Sequence, residues 1–154
     1  MKTFTQISEI LDFARDFHQH CETLYRQLRD ESDSNTLALV IGQMERHEQA
    51  MQHCLDRYRQ QAPSAIIDTW VQFAPEESAD EIIRDMRTGG GLNPDQLFAF
   101  GNKLDAALRN TYRHLAEDAE SEDVRELFTG LLEMIRSGEK KRTANQQALR
   151  DHML

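Results

Sequence analysis

The chain has 154 residues, of which 39% are hydrophobic and 29% charged, with only 3 prolines and 7 glycines. This length suits one domain, and the composition is typical of a helical globular protein rather than a disordered one. The net charge of -9 argues against a nucleic-acid partner, because the basic residues are scattered among acids and form no basic stripe.

The N-terminus opens on a polar, amphipathic segment. It shows no apolar signal-peptide core, and no apolar run in the chain reaches membrane-spanning length. We therefore expect a cytoplasmic protein with no membrane partner. Cys21 and Cys54 are too few for a disulfide scaffold and lack CxxC spacing for zinc or redox chemistry. Both are predicted to remain reduced, because antiparallel helices that turn near Ser34 offset them by roughly 10 Å along the hairpin.

The first half of the chain predicts a helical hairpin over residues 5–61 that turns near Ser34. Apolar residues recur at alternating spacings of three and four, which is the stripe of a helix that faces a bundle core. The stripe of the first helix is Ile7, Leu11, Ala14, His18, Cys21, Tyr25 and Leu28, and that of the second is Leu37, Ile41, Met44, Glu48, Met51, Leu55 and Tyr58.

A connection over residues 62–92 follows, and it is longer than the loops that compact domains normally use. It contains Pro63, Trp70, Pro75 and a predicted short helix across Ala79 to Arg87. We expect this crossover to run across the bundle. Two independent hairpins on a linker are disfavoured, because Trp70, Val71 and Phe73 would then lack a surface to pack against.

A second hairpin is predicted over residues 93–150. Its first helix begins at Asn93, because a capping residue is followed there by Pro94 and then by Gln96 three residues after the cap. The stripes of its two helices are Phe98, Gly101, Asp105, Leu108, Tyr112 and Leu115, and then Val124, Phe128, Leu131, Ile135 and Gly138.

The two hairpins resemble each other at an offset of about 87 residues. Matching pairs at this offset include Phe13 with Phe100, Tyr25 with Tyr112, and Leu28 with Leu115. Short loops within each hairpin and one long crossover between them are the ferritin-type connectivity. We therefore predict an all-α, ferritin-like four-helix bundle made of two repeated helical hairpins in a single domain over residues 1–154.

Three of the four stripes have a polar residue near the middle, at His18, Glu48 and Asp105, whereas the fourth stripe has Ile135 there. We call each position of a stripe a rung, and these four positions the middle rungs. Antiparallel pairing about the two loops places these four rungs in one layer of the bundle. Burial of a lone carboxylate or imidazole is costly, so we expect these groups to pair, bind a metal or reach water.

These features resemble the ferritin-like superfamily, in particular rubrerythrin-type di-iron carboxylate proteins. In that family, the first helix of each hairpin supplies a Glu seven residues before a Tyr, and the second supplies a Glu-x-x-His. Tyr25 and Tyr112 match the family tyrosines, while His18 and Asp105 occupy the first-helix ligand positions.

The second-helix ligands are largely missing. Glu48 matches the family Glu, but Met51 stands at the His position of that helix. Ile135 and Gly138 replace both ligands of the last helix. A di-iron centre bridged by carboxylates is therefore not expected, and the resemblance implies a degenerate centre that binds at most one metal ion.

Two interpretations of the polar rungs stay open. His18, Glu48 and Asp105 can form a one-histidine, two-carboxylate set for a single iron, manganese or zinc ion. The favoured alternative is a metal-free pair, His18 with Asp105 or His18 with Glu48, kept because half-satisfied polar networks are costly.

Tyr25, Tyr112 and His47 are candidates to lie behind such a metal, although buried tyrosines are also ordinary core residues. The expected function is that of a non-catalytic structural or interaction protein, present as a homo-oligomer such as a dimer. The alternative is an iron- or manganese-dependent oxidoreductase or an iron-handling protein of the rubrerythrin or ferritin type. The fold alone does not choose between these two functions.

Overall fold

A computed structural model describes residues 3–73, 81, 82, 84 and 93–153. These residues are mostly helical, which confirms the all-α class. The described helices with defined bounds are α1 (Ile7–Asp30), α2 (Asn35–Gln61), the one-turn α3 (Ser64–Ile67), α4 (Pro94–Glu117) and α5 (Glu122–Met153). None of the helices in this part of the chain combines the length and the hydropathy that a bilayer-spanning helix requires.

The long helices form two antiparallel pairs, α1 with α2 and α4 with α5. The turn of the first hairpin and the start of the second hairpin have the predicted positions. The Ser34 hydroxyl accepts a hydrogen bond from the Leu37 amide at the start of α2, and Asn93 and Gln96 form a reciprocal capping box at the start of α4. The apolar stripes of all four long helices belong to one hydrophobic core.

The structure contains a two-stranded antiparallel ribbon that the sequence did not predict. One strand precedes the first hairpin in the chain and the other follows it. Strand β1 (Thr3–Gln6) pairs with β2 (Trp70–Phe73), with Thr3 opposite Phe73 and Gln6 opposite Trp70. The first helix therefore begins at Ile7 and not at residue 5, because the preceding residues bond to the crossover. Thr and aromatic residues are enriched in strands, and both occur in this ribbon.

The ribbon ties the crossover to the first helix. The Phe73 ring packs edge-on against Phe13 at a centroid distance of 5.3 Å, and Val71 is partly buried against the core. Trp70 is 59% exposed, so the expectation that it packs against the bundle is wrong. The predicted helix across Ala79 to Arg87 lies largely outside the described residues, although residues 81, 82 and 84 are helical.

Candidate metal centre

The middle rungs of three helices carry buried polar side chains, as their spacing predicts. His18 on α1, Glu48 on α2 and Asp105 on α4 are each at most 1% exposed. His18 and Glu48 form a direct pair in which the ring Nδ1–H donates to the Glu48 Oε2 at 2.5 Å. Of the two metal-free pairs considered from the sequence, the structure contains His18 with Glu48.

Asp105 has a different partner, which the sequence interpretation missed. Arg142 on α5 donates from Nη1 to the Asp105 Oδ2 at 2.5 Å and to the Asn102 Oδ1 at 3.3 Å. Arg142 is only 5% exposed and lies one rung beyond Gly138 on the same stripe. Gly101 leaves space for it, since a Cβ at that position would lie 3.1 Å from the guanidinium carbon.

His47 faces the same cluster from α2. Its ring Nε2 lies 3.7 Å from the Asp105 Oδ2, and its side chain is 14% exposed. Gly138 of α5 lies directly against this ring, and a Cβ at that glycine would collide with the His47 Cε1. The family resemblance implies a histidine at position 138. Gly138 instead leaves the space that the His47 side chain of α2 fills.

In the described part of the chain, one group of three residues could hold a metal ion: His47, Glu48 and Asp105. Each offers a ligand atom, and these three atoms lie within 4.8 Å of one another. The distance of 3.7 Å between His47 and Asp105 is too long for a hydrogen bond. The Asp105 Oδ2 already accepts from Arg142, so the Oδ1 is the carboxylate oxygen of Asp105 that lacks a partner among the described residues.

The group of residues that could hold an ion thus differs from the predicted set by one residue. His18 is not a member of the converging set; it hydrogen-bonds Glu48 and holds that carboxylate in place. His47, expected behind the ligands, offers a ligand atom in this group instead. Consecutive residues of a helix differ by about 100° in direction, so the stripe that includes Glu48 does not predict that its neighbour also points inward.

Both members of the Arg142–Asp105 pair are stabilised in their charged forms. Burial raises the pKa of Asp105, but the His47 ring and the Arg142 charge outweigh it, and the pKa lies below its ordinary value. Burial lowers the pKa of Arg142, and the charge of Asp105 raises it by more. The cluster therefore presents an ionised carboxylate to any cation that enters.

The two tyrosines that match the family pattern are core residues beside this cluster. Tyr25 and Tyr112 are at most 1% exposed, and their hydroxyls have no hydrogen-bond partner among the described residues. Burial raises the pKa of each phenol, and the charge of Glu48 for Tyr25 or of Asp105 for Tyr112 raises it further. Both phenols are therefore favoured in their protonated form.

A pair of bridged iron ions does not fit these residues. Such a centre needs about four carboxylates, whereas the middle layer supplies Glu48 and Asp105. Met51 and Ile135 are buried apolar side chains at positions that would have to ligate.

Comparison with protein families, curated proteins and solved structures finds no match for this chain.

Proposed function

We propose that this chain is a ferritin-like four-helix bundle that binds one divalent transition-metal ion through His47, Glu48 and Asp105 and carries out no di-iron catalysis. The convergence of these three ligand atoms within 4.8 Å, in a buried layer shared by α2 and α4, is the observation that carries this proposal. The two helical pairs around one core support the bundle architecture. The role of the ion is structural, since it would link one hairpin to the other.

The donor set suits a borderline ion such as iron, manganese or zinc. The His47 Nε2 and the Asp105 Oδ1 are buried and have no hydrogen-bond partner among the described residues. Buried polar atoms without partners are rare in folded proteins. An ion would use both atoms without displacing Arg142 from the Asp105 Oδ2 or His18 from the Glu48 Oε2.

The charge of the cluster limits it to one ion. Two carboxylates and one guanidinium leave a single negative charge when the imidazoles are neutral. One divalent ion changes that charge to a single positive one, whereas two divalent ions leave three positive charges in a buried layer. Uncompensated buried charge is strongly disfavoured, so Arg142 takes the place of the second cation.

The test is metal titration of protein that has been stripped with a chelator. We expect one Co²⁺, Mn²⁺ or Zn²⁺ ion per chain by elemental analysis. Excess metal at about 100 times its dissociation constant should stabilise the fold by about 2.7 kcal/mol, which corresponds to a rise in Tm of roughly 5–11 °C for a domain of this size.

Three variants separate ligands from bystanders. His47→Ala should abolish the metal-dependent rise in Tm, whereas His53→Ala, at an exposed histidine of the same helix, should leave it unchanged. His18→Phe removes the hydrogen bond that orients Glu48 and should weaken binding about 10- to 100-fold. Two bridged irons per chain, or full metal binding by His47→Ala, would contradict the proposal.

A further inference from the structure

A pocket of about 480 Å³ opens beside the metal cluster, and its charged lining is entirely basic among the described residues. Within the described part of the chain, no carboxylate lines this pocket, although the chain has a net charge of -9. Basic groups from two helices surround it: Arg46 and His47 from α2, and Lys141 and Arg142 from α5. The pocket therefore attracts anions.

The remaining lining is largely apolar and adaptable. The large apolar side chains come from three helices and are Met44, Met51, Phe98 and Met134. Methionine side chains are flexible and adjust to ligands of irregular shape. The volume lies within the range of small-molecule pockets, which are mostly apolar with a few polar groups that fix the orientation of the ligand.

A buried donor without a partner lines this pocket. Arg142 is 5% exposed and uses Nη1 for Asp105, but its Nη2 has no hydrogen-bond partner among the described residues. A buried guanidinium N–H normally has an acceptor, and a carboxylate is the acceptor that best matches its geometry and charge. Arg142 thus serves Asp105 on one side, while its Nη2 is a buried donor without an acceptor among the described residues.

We propose that this pocket binds an organic carboxylate with an apolar tail. Its carboxylate accepts a hydrogen bond from the Arg142 Nη2, and its tail packs against the methionines and Phe98. Arg46 and Lys141, which are exposed, attract the anion at the mouth. This site goes beyond the proposed metal function and does not require the ion, because Arg142 is not a metal ligand.

The probe is octanoate, added to chelator-treated protein and followed by isothermal titration calorimetry. We expect one octanoate per chain. The uncharged 1-octanol should bind at least about tenfold more weakly because it leaves the guanidinium donor without a charged acceptor. Acetate should also bind at least about tenfold more weakly, because it lacks the tail that buries apolar area.

Matched variants locate the site. Lys141→Gln should weaken octanoate binding about two- to fivefold, and the double variant Arg46→Gln with Lys141→Gln about tenfold. Lys140→Gln removes a charge next to the pocket but outside its lining, and should leave the affinity unchanged. Cys54 lines the pocket, so bound octanoate should also slow its reaction with a thiol reagent.

Glu48→Gln keeps this proposal separate from the metal site. It removes a metal ligand that does not line the pocket, so it should abolish metal binding and preserve octanoate binding. Equal affinity for octanoate and 1-octanol would overturn the carboxylate assignment. Octanoate binding that neither protects Cys54 nor responds to the double variant would overturn the location, and so would the absence of any binding.

Discussion

Replacement of Arg142 by methionine tests the buried layer most directly. The Arg142 Nη1 lies 2.5 Å from the Asp105 Oδ2, and the two side chains are 5% and 1% exposed. Methionine keeps much of the length of the arginine side chain but removes its charge. Asp105 would then be a buried carboxylate that is left with only the nearby His47 ring as a compensating group.

The cost of this change is large relative to the stability of the whole domain. Breaking a buried ion pair from one side typically costs about 3–5 kcal/mol, because the remaining charge has lost its compensation. A domain has about 5–15 kcal/mol of stability in total. At about 2–4 °C per kcal/mol for a chain of this length, we expect the Tm to fall by roughly 6–20 °C.

Thermal and urea unfolding, followed by circular dichroism in a chelating buffer, measure this loss. Arg136→Met, at an exposed arginine of the same helix, should stay within about 0.5 kcal/mol of the parent chain. The double variant of Arg142→Met with Asp105→Asn should recover most of the loss, because the unpaired charge is gone. A loss below about 1 kcal/mol, or no recovery in the double variant, would refute the reasoning.

Three further outcomes follow from the same layer. Gly138→Ala should lower the free energy of unfolding by about 1–3 kcal/mol and weaken metal binding, because its Cβ collides with the His47 ring. Asp105 has a depressed pKa, so its stabilising contribution is complete above its unfolded pKa of about 3.9 and is lost as the pH falls through the lower folded pKa. Urea unfolding should therefore show that the difference in stability between the parent chain and Asp105→Asn narrows below about pH 4. In native protein, Cys54 should react with a thiol reagent before Cys21, because Cys21 is buried and burial raises its pKa well above the ordinary value.

Each of these outcomes has a control. Gly42→Ala should cost little, since its Cβ would meet only the Arg46 guanidinium at an ordinary 3.6 Å. A stability difference for Asp105→Asn that stays constant from pH 7 to about pH 3 would show that the carboxylate is not held in its charged form. Equal reactivity of both thiols in the folded chain would contradict the packing of α1, while equal reactivity after denaturation is expected.

The helical periodicity was enough to place the polar rungs inside the fold. Residues at alternating spacings of three and four share a face of any straight helix, whatever the rest of the chain does. His18, Glu48 and Asp105 were found this way, and their burial agrees with it. The same periodicity could have found Arg142, which lies four residues after Gly138, but the predicted stripe of the last helix ended at Gly138.

The ribbon and the exposed Trp70 lay beyond this kind of reasoning. Each strand has four residues, too few to distinguish a period of two from a helical one. Pairing of β1 with β2 joins two segments that are more than sixty residues apart in the sequence, on either side of the first hairpin. No local sequence pattern specifies such a contact. Register then decides the face, so that Phe73 packs inward while Trp70 is exposed.

The candidate site itself results from the way the two hairpins meet. Each hairpin satisfies one polar pair internally: His18 with Glu48 in the first, and Arg142 with Asp105 in the second. The His47 Nε2 and the Asp105 Oδ1, one from each hairpin, lack hydrogen-bond partners among the described residues. A repeat-based prediction treats each hairpin alone, and it considered the first of these pairs but missed the second. The proposed metal site therefore depends on unsatisfied atoms that only the contact between the hairpins brings together.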